Sequence, residues 1–358
     1  MTVEQCWHRV PGGTAVAMLR VLDALLERPA DVAVTGVTAW HRRPAPDRFR
    51  PPVPLRRLPL PAPLLYDSWA RTGHPRPEMV VRHADLVHAT TCLVPGTRLP
   101  LVVTVHDLAF LRDPSRFTAR GNRLFRAGLE RIRAKADAVL CSSAATLDDC
   151  LAAGITADRL HHVPLGVSVH RPDHQAAQSW RAARRVSERY LLFVGTLEPR
   201  KNLERLVAAF VDVAVTNPDL DLVVVGPSGW GPQFAVPPEV AAKVHLVGEV
   251  DDSTLAGLYA NAAVLCYPSL QEGFGLPILE AMAHDTPVVT SNVSSTAEVA
   301  GAAAVLIDPL DVSDIARGIG DALIDRSRLS AARRARVAEF SWAAAADRTI
   351  EVYRLVTP

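Results

Sequence analysis

Short, valine-rich apolar runs alternate along the chain with longer stretches whose apolar residues recur every three or four positions. The runs Val32–Val37, Leu86–Ala89, Leu101–Val105, Ala138–Cys141, Leu191–Val194, Leu222–Val225, Val244–Val247, Val264–Cys266, Val288–Thr290 and Ala304–Ile307 predict strands. Their unbroken apolar character suits strands covered on both faces. The stretches between them predict helices at Gly13–Glu27, Asn122–Lys135, Ala144–Ala153, Leu203–Val215, Ser253–Ala260, Pro277–His284 and Asp311–Leu323. This alternation is the pattern of parallel sheets with helices on both sides. It breaks once, at Ser168–Glu188, which is polar, contains Pro172 and lacks a period. We read that segment as a connector between two doubly wound halves, residues 1–170 and 187–340. Residues 341–358 predict a single closing helix with Ser341 as its cap.

Composition narrows the classes. With 358 residues, 49% of them apolar, the chain can fill two cores. A formal net charge of +1 gives no global field that would select nucleic acid. The five cysteines have no zinc spacing and read as reduced core thiols. No apolar run approaches about 18 residues, so no membrane span is expected and the cytoplasm is the expected location. Residues 41–57 carry His41, Arg42, Arg43, Arg48, Arg50, Arg56 and Arg57 in a proline-rich setting. They read first as a solvated connection, and second as a surface for an anionic acceptor or for lipid head groups at the inner membrane face.

The chemistry concentrates at strand ends. Glu272–Glu280, "EGFGLPILE", follows the strand-like "AVLCYPS". Gly273 and Gly275 allow a tight turn, and Pro277 suits a first helical turn. The amides of Phe274, Gly275 and Leu276 would then gather at a helix N-terminus, a ready site for phosphate. Beside a phosphate, the natural partners of Glu272 and Glu280 are sugar hydroxyls, which donate hydrogen bonds. Gly195–Asn202, "GTLEPRKN", follows the strand "YLLFV". There Arg200 offers a planar fork to phosphate oxygens and Lys201 a point charge. In the first half, the run Val103–Leu108, "VTVHDL", lies at a strand end, where His106 could donate to a substrate oxygen or polarise a sugar hydroxyl, with Asp107 orienting a partner or capping the next turn. Gly12 and Gly13 open the first long helix and permit close approach of a phosphate. Asp219 and Asp221 match a D-x-D metal pattern but sit where a turn enters a strand. Gly226–Gly231, "GPSGWG", is not a dinucleotide fingerprint.

These motifs, in this order, resemble the retaining nucleotide-sugar glycosyltransferases of family 4, in their mannosyltransferase-like group. The resemblance covers nearly the whole chain, including "GVS" after Leu165 and the closing "FSWAAAADRTIEVYRLV". It implies the α/β GT-B fold: two Rossmann-like domains facing across a cleft, with the C-terminal helix crossing back to the first. The first would be the acceptor side and the second the donor-nucleotide side. It implies that Glu280 holds the donor ribose and Glu272 the transferred sugar. Arg200 and Lys201 would hold the diphosphate, with Phe274, Gly275 and Leu276 assisting and His106 near the reaction centre. Many relatives place an arginine directly after the glycine of the first motif, where this chain has Thr196. The implied activity is transfer of a hexose or deoxyhexose, mannose-like as first choice, from a nucleoside diphosphate sugar to a saccharide, lipid-linked or small-molecule acceptor. No cofactor or metal is implied beyond that substrate. A nucleotide-sugar epimerase and a non-catalytic sugar-nucleotide binding module are the competing readings.

Because protein cations stand where a metal would otherwise neutralise the diphosphate, transfer is expected to persist in excess EDTA. Loss of activity in EDTA, restored by Mg²⁺ or Mn²⁺, would show that a metal does that work.

Overall fold

The computed structural model describes residues 1–229 and 235–357, so Trp230 and Gly231 of the "GPSGWG" stretch lie outside the described residues. The chain divides into two units: Met1–Gly166 with Ser341–Pro358, and Val167–Phe340.

The first unit contains strands β1 (Gly36–Thr38), β2 (Leu55–Arg57), β3 (Val87–Ala89), β4 (Leu101–Val105), β5 (Ala138–Cys141) and β6 (Leu160–His162). Its helices up to residue 166 are α1 (Gly12–Leu26), α2 (Ala62–Thr72), α3 (Ala109–Arg112), α4 (Ala119–Lys135) and α5 (Ala144–Ala152). β3 to β6 form a parallel sheet in sequence order, and β1 pairs with β2 in a second parallel sheet. The first residues of the chain bridge the two. Thr2 N donates to His88 O at 2.9 Å, and Val3 N to Val37 O at 3.0 Å. Such a short stretch carries no periodic signal, and the sequence reading missed it. α1 covers this layer with Ala15, Met18, Leu22 and Leu25, spaced three or four apart and all buried.

The second unit is built on one parallel sheet. Its strands are β7 (Arg189–Val194), β8 (Leu220–Val225), β9 (Val244–Gly248), β10 (Val264–Tyr267), β11 (Val288–Ser291) and β12 (Val305–Ile307). Its helices are α6 (His174–Ala183), α7 (Leu203–Thr216), α8 (Asp252–Asn261), α9 (Leu276–Ala283), α10 (Ser294–Ala300), α11 (Val312–Ile324) and α12 (Ser330–Ala338). The strand order is β12-β11-β10-β7-β8-β9. One face of the sheet presents Leu191, Phe193, Leu222, Val224, Val264 and Cys266 to Leu206, Phe210, Ile315 and Ile319 of α7 and α11, all buried. The winding direction reverses between β7 and β10. In open α/β sheets, ligands bind outside the carboxyl ends of the strands at such a point.

The last helix, α13 (Trp342–Val356), belongs to the first unit. Ser341 caps it, accepting from Ala344 N at 3.1 Å. Ala345, Ala346, Ile350 and Val352 are buried, and the Tyr353 hydroxyl lies 2.6 Å from His88 Nδ1. No helix among the described residues is long and apolar enough to cross a membrane.

Three expectations change. Ser168–Glu188 is not only a connector, because it contains α6, capped by Asp173, which accepts from Ala176 N at 2.8 Å. α6 packs through small residues, Ala177 against Gly257 of α8, so no wide apolar stripe announced it. The basic segment 41–57 is not one loop, since Leu55–Arg57 forms β2, flanked by buried Val53 and Leu58. The strand expected at Val32–Val37 begins only at Gly36.

Gly226 follows β8 directly, beside Gly195, which follows β7. Its φ is +143°, and a Cβ there would lie 2.0 Å from the Gly195 carbonyl oxygen. Backbone cannot move aside cheaply, so Gly226→Ala is expected to cost about 1–3 kcal/mol of stability. The check is the urea midpoint. An unchanged midpoint would mean that the β7–β8 loops are loose at this point.

Candidate active site

The site grows from the two strands that flank the reversal. β7 delivers the chain into Gly195–Asn202. There Pro199–Lys201 form a 3₁₀ turn, closed by a bond from Lys201 N to Glu198 O at 3.0 Å. Asn202 follows in the left-handed conformation, φ +60°. Its amide nitrogen donates to Pro268 O at 3.0 Å and Pro309 O at 2.6 Å, which offsets that strain and pins the turn. β10 delivers the chain into Pro268–Gly275. Leu270 N donates to Arg200 O at 2.8 Å, so the two loops are joined through their backbones. Ser295 Oγ donates to Glu272 O at 2.8 Å and holds the turn from the α10 side.

Inside this frame the side chains converge. Glu272, 7% exposed, accepts from Lys201 Nζ at 2.7 Å through one oxygen and from Arg200 Nη1 at 2.7 Å through the other. Arg200 Nη1 also donates to Gln271 O at 3.1 Å, and its Nε lies 2.5 Å from Glu198 Oε1. Lys201 Nζ donates to the Tyr267 hydroxyl as well. Burial is the largest influence on both Glu272 and Lys201. For Lys201 it prevails over the attraction of Glu272 and holds the ammonium below its ordinary 10.5. For Glu272 burial alone would raise the pKa, but Arg200 and Lys201 outweigh it and bring the carboxyl from 4.5 down to about 2.

α9 begins at Leu276 behind Gly275, whose φ of +108° suits glycine, with Pro277 in the first turn. Phe274 turns its ring into the core, edge-on to Phe340 at 5.7 Å. Glu280, one turn into α9, accepts from the Tyr259 hydroxyl at 2.8 Å, and Tyr259 in turn stacks on His284 at 6.1 Å. The second unit therefore brings together Arg200, Lys201 and Glu272, with α9 starting beside them.

His106, Gly12 and Gly13 lie in the other unit. His106 follows the last residue of β4 and lines a cavity with Met18, His88, Thr90 and Ser142. Burial lowers its pKa, which Asp107 and the Thr90 backbone partly restore. Asp107 takes the capping role, accepting from Ala109 N at 3.0 Å. Gly12 and Gly13 open α1, with Gly12 at φ +62° and open space around both. Asp219 pairs with Arg189 at 2.8 Å, while Asp221, in β8, is held by Ser187 N at 2.7 Å and His245 at 2.9 Å. All five cysteines are free and buried.

The sequence reading missed Glu198, Tyr267, Tyr259 and Ser295. A tyrosine as the last residue of an apolar strand was the available signal for Tyr267, because a buried hydroxyl needs a partner.

Two Rossmann-like units with parallel sheets, the second carrying this charged site at its reversal point, have the GT-B architecture. Solved structures share the fold. Sucrose-phosphate synthase from Thermosynechococcus elongatus superposes with a TM-score of 0.75 at 24% identity, covering 96% of this chain and 93% of its own. Anabaena HepE, solved with UDP and glucose, superposes with a TM-score of 0.74 at 18% identity, covering 99% and 98%. In sequence, residues 11–171 match the family described as Glycosyltransferase Family 4, and residues 175–339 match Glycosyl transferases group 1. The MMP alpha-(1->4)-mannosyltransferase of Mycolicibacterium hassiacum is 31% identical over 87% of this chain and 84% of its own length. The O-antigen chain mannosyltransferase B of Escherichia coli is 39% identical over 47% of this chain, a match spanning 46% of that enzyme. The chain belongs to this glycosyltransferase family, of the family 4 type.

The depressed pKa of Glu272 makes a pH prediction. A carboxyl that falls from 4.5 unfolded to about 2 folded contributes stability that is fully present above pH 4.5. That contribution is lost as pH falls from about 4.5 to about 2. Wild-type urea midpoints should therefore drop through this window more steeply than those of Glu272→Gln. Parallel curves would mean that Glu272 is not ionised against Arg200 and Lys201.

Proposed function

We propose that the chain transfers a hexose or deoxyhexose, with mannose the first candidate, from a nucleoside diphosphate sugar to a saccharide, lipid-linked or small-molecule acceptor. The anomeric configuration is retained. One observation carries this reading: two cations converge on a single buried carboxylate at the reversal point of a parallel sheet, beside the start of α9. Mannose is favoured by similarity to two proteins named as mannosyltransferases.

In this mechanism Arg200 and Lys201 take the diphosphate, and the amides of Phe274, Gly275 and Leu276 at the start of α9 add to the same potential. Negative charge grows on the leaving phosphate as the glycosidic bond breaks. Preorganised cations therefore stabilise the transition state more than the ground state. The acceptor hydroxyl attacks from the face that the diphosphate leaves, and the departing phosphate takes its proton. Glu280 accepts hydrogen bonds from the ribose, and Glu272 from the transferred sugar. His106 approaches the donor sugar, and Gly12 and Gly13 allow phosphate to come near the start of α1. The exposed arginines 42, 43, 48, 50, 56 and 57 offer an anionic acceptor, or lipid head groups at the inner membrane face, a basic surface.

The test is a panel of nucleoside diphosphates read by thermal stabilisation, followed by transfer assays with the matching sugars. One base should raise the melting temperature, and its sugar should be transferred. Glu280→Ala should weaken donor binding at least tenfold, since a hydrogen bond to a charged group contributes about 1.5–3 kcal/mol. Calorimetry on the folded variant checks this, and unchanged affinity removes Glu280 from the site. An epimerised donor without transfer would overturn the proposal as a whole.

A further inference from the structure

Formal charge at the clamp sums to nothing. Arg200 and Lys201 are matched by Glu198 and Glu272, within 2.7 Å in each ion pair. A neutral cluster has little attraction for a diphosphate. Glu272 also stands where a phosphate would stand: its two oxygens accept from the guanidinium on one side and the ammonium on the other, each at 2.7 Å. A phosphate group presents the same pair of acceptors to the same pair of donors. The carboxylate and the diphosphate therefore compete for Arg200 and Lys201.

The competition has a natural arbiter. A carboxylate leaving two cations must find other donors, because a buried unpaired charge is strongly disfavoured. Sugar hydroxyls are such donors, and a donor molecule brings them together with its diphosphate. The spent nucleotide brings the diphosphate alone. Arg200 is kept from following the carboxylate by Glu198, whose side chain is 2% exposed and lies 2.5 Å from Nε on the opposite edge. The backbone beneath is equally held, through Pro199, Asn202 and the bond from Leu270 N to Arg200 O.

We propose that Glu272 discriminates donor from spent nucleotide. With a sugar present, its carboxylate turns to the sugar hydroxyls and yields both cations to the diphosphate. With the sugar gone, it reclaims them and expels the nucleotide. This role rests on reading the site as a diphosphate clamp.

The test is calorimetry with GDP and with UDP on wild type, Glu272→Gln and Glu272→Asp, beside product inhibition and turnover with GDP-mannose and UDP-glucose. Glutamine keeps the shape and removes the competing charge. Glu272→Gln should bind the nucleoside diphosphate at least tenfold tighter than wild type, be inhibited by it at correspondingly lower concentration, and turn over more slowly. Aspartate keeps a negative charge beside the buried cations, which guards the fold, but it is too short to bridge both. Glu272→Asp should shift affinity in the same direction by a smaller factor. Equal or weaker nucleotide binding by either folded variant overturns the proposal. A purely structural role for Glu272 would give that result, with a lowered melting temperature and no gain in affinity. Absence of binding of every nucleoside diphosphate in the panel by both wild type and Glu272→Gln would overturn the clamp reading itself, and this role with it, a different outcome from equal affinity in wild type and variant.

Discussion

The second unit is organised around one buried ionic constraint. Glu198, Arg200, Lys201 and Glu272 come from two loops that are far apart in sequence, and two of the four side chains are below 8% exposed. Removing such groups from water costs several kcal/mol per ion, and only close pairing with good hydrogen bonds offsets it. The pairing demands that the ends of β7 and β10 lie side by side. They do, because the sheet reverses there, with Leu191 and Leu192 in register with Val264 and Leu265. The apolar core beneath sets the register, and the register sets the charges.

Supporting residues show how tightly the geometry is held. Asn202 adopts a conformation that disfavours side chains, and two carbonyls, Pro268 O and Pro309 O, compensate it. Tyr267 ends β10 with its hydroxyl on Lys201, so the last residue of a core strand doubles as a ligand to the ammonium. At Gly226, a single methyl group would meet the Gly195 carbonyl. The loops that carry the charges have little room to relax independently.

Much of this was readable from the chain. Glycine after an unbroken apolar strand, followed by paired cations or by a glycine turn and proline, marks a strand–loop–helix edge on local grounds alone. The buried parallel strands announced themselves through unbroken apolar runs. What stayed hidden depended on distant partners. α6 packs by small residues, and β2 is three residues long with two exposed arginines. The bridging role of Thr2 and Val3 exists only once β1 and β3 are placed. Glu198 is a single carboxylate before a proline, and nothing local reveals that Arg200 will fold back onto it.

A network of equal and opposite charges has a consequence for catalysis that a bare cationic pocket would not share. In a low-dielectric site, fixed cations alone would bind any polyanion, and hold the product as firmly as the donor. Uniform attraction of that kind lowers the donor requirement without speeding the chemical step. Placing a carboxylate between the cations removes the uniform part. What remains is attraction that appears only when something else satisfies the carboxylate. In the proposed mechanism a sugar positioned against Glu272 does so, and it is also the group whose bond must break. On that proposal, binding energy is tied to the presence of the reacting centre, and a neutral, rigid and partly buried network is the arrangement that would make this coupling strong.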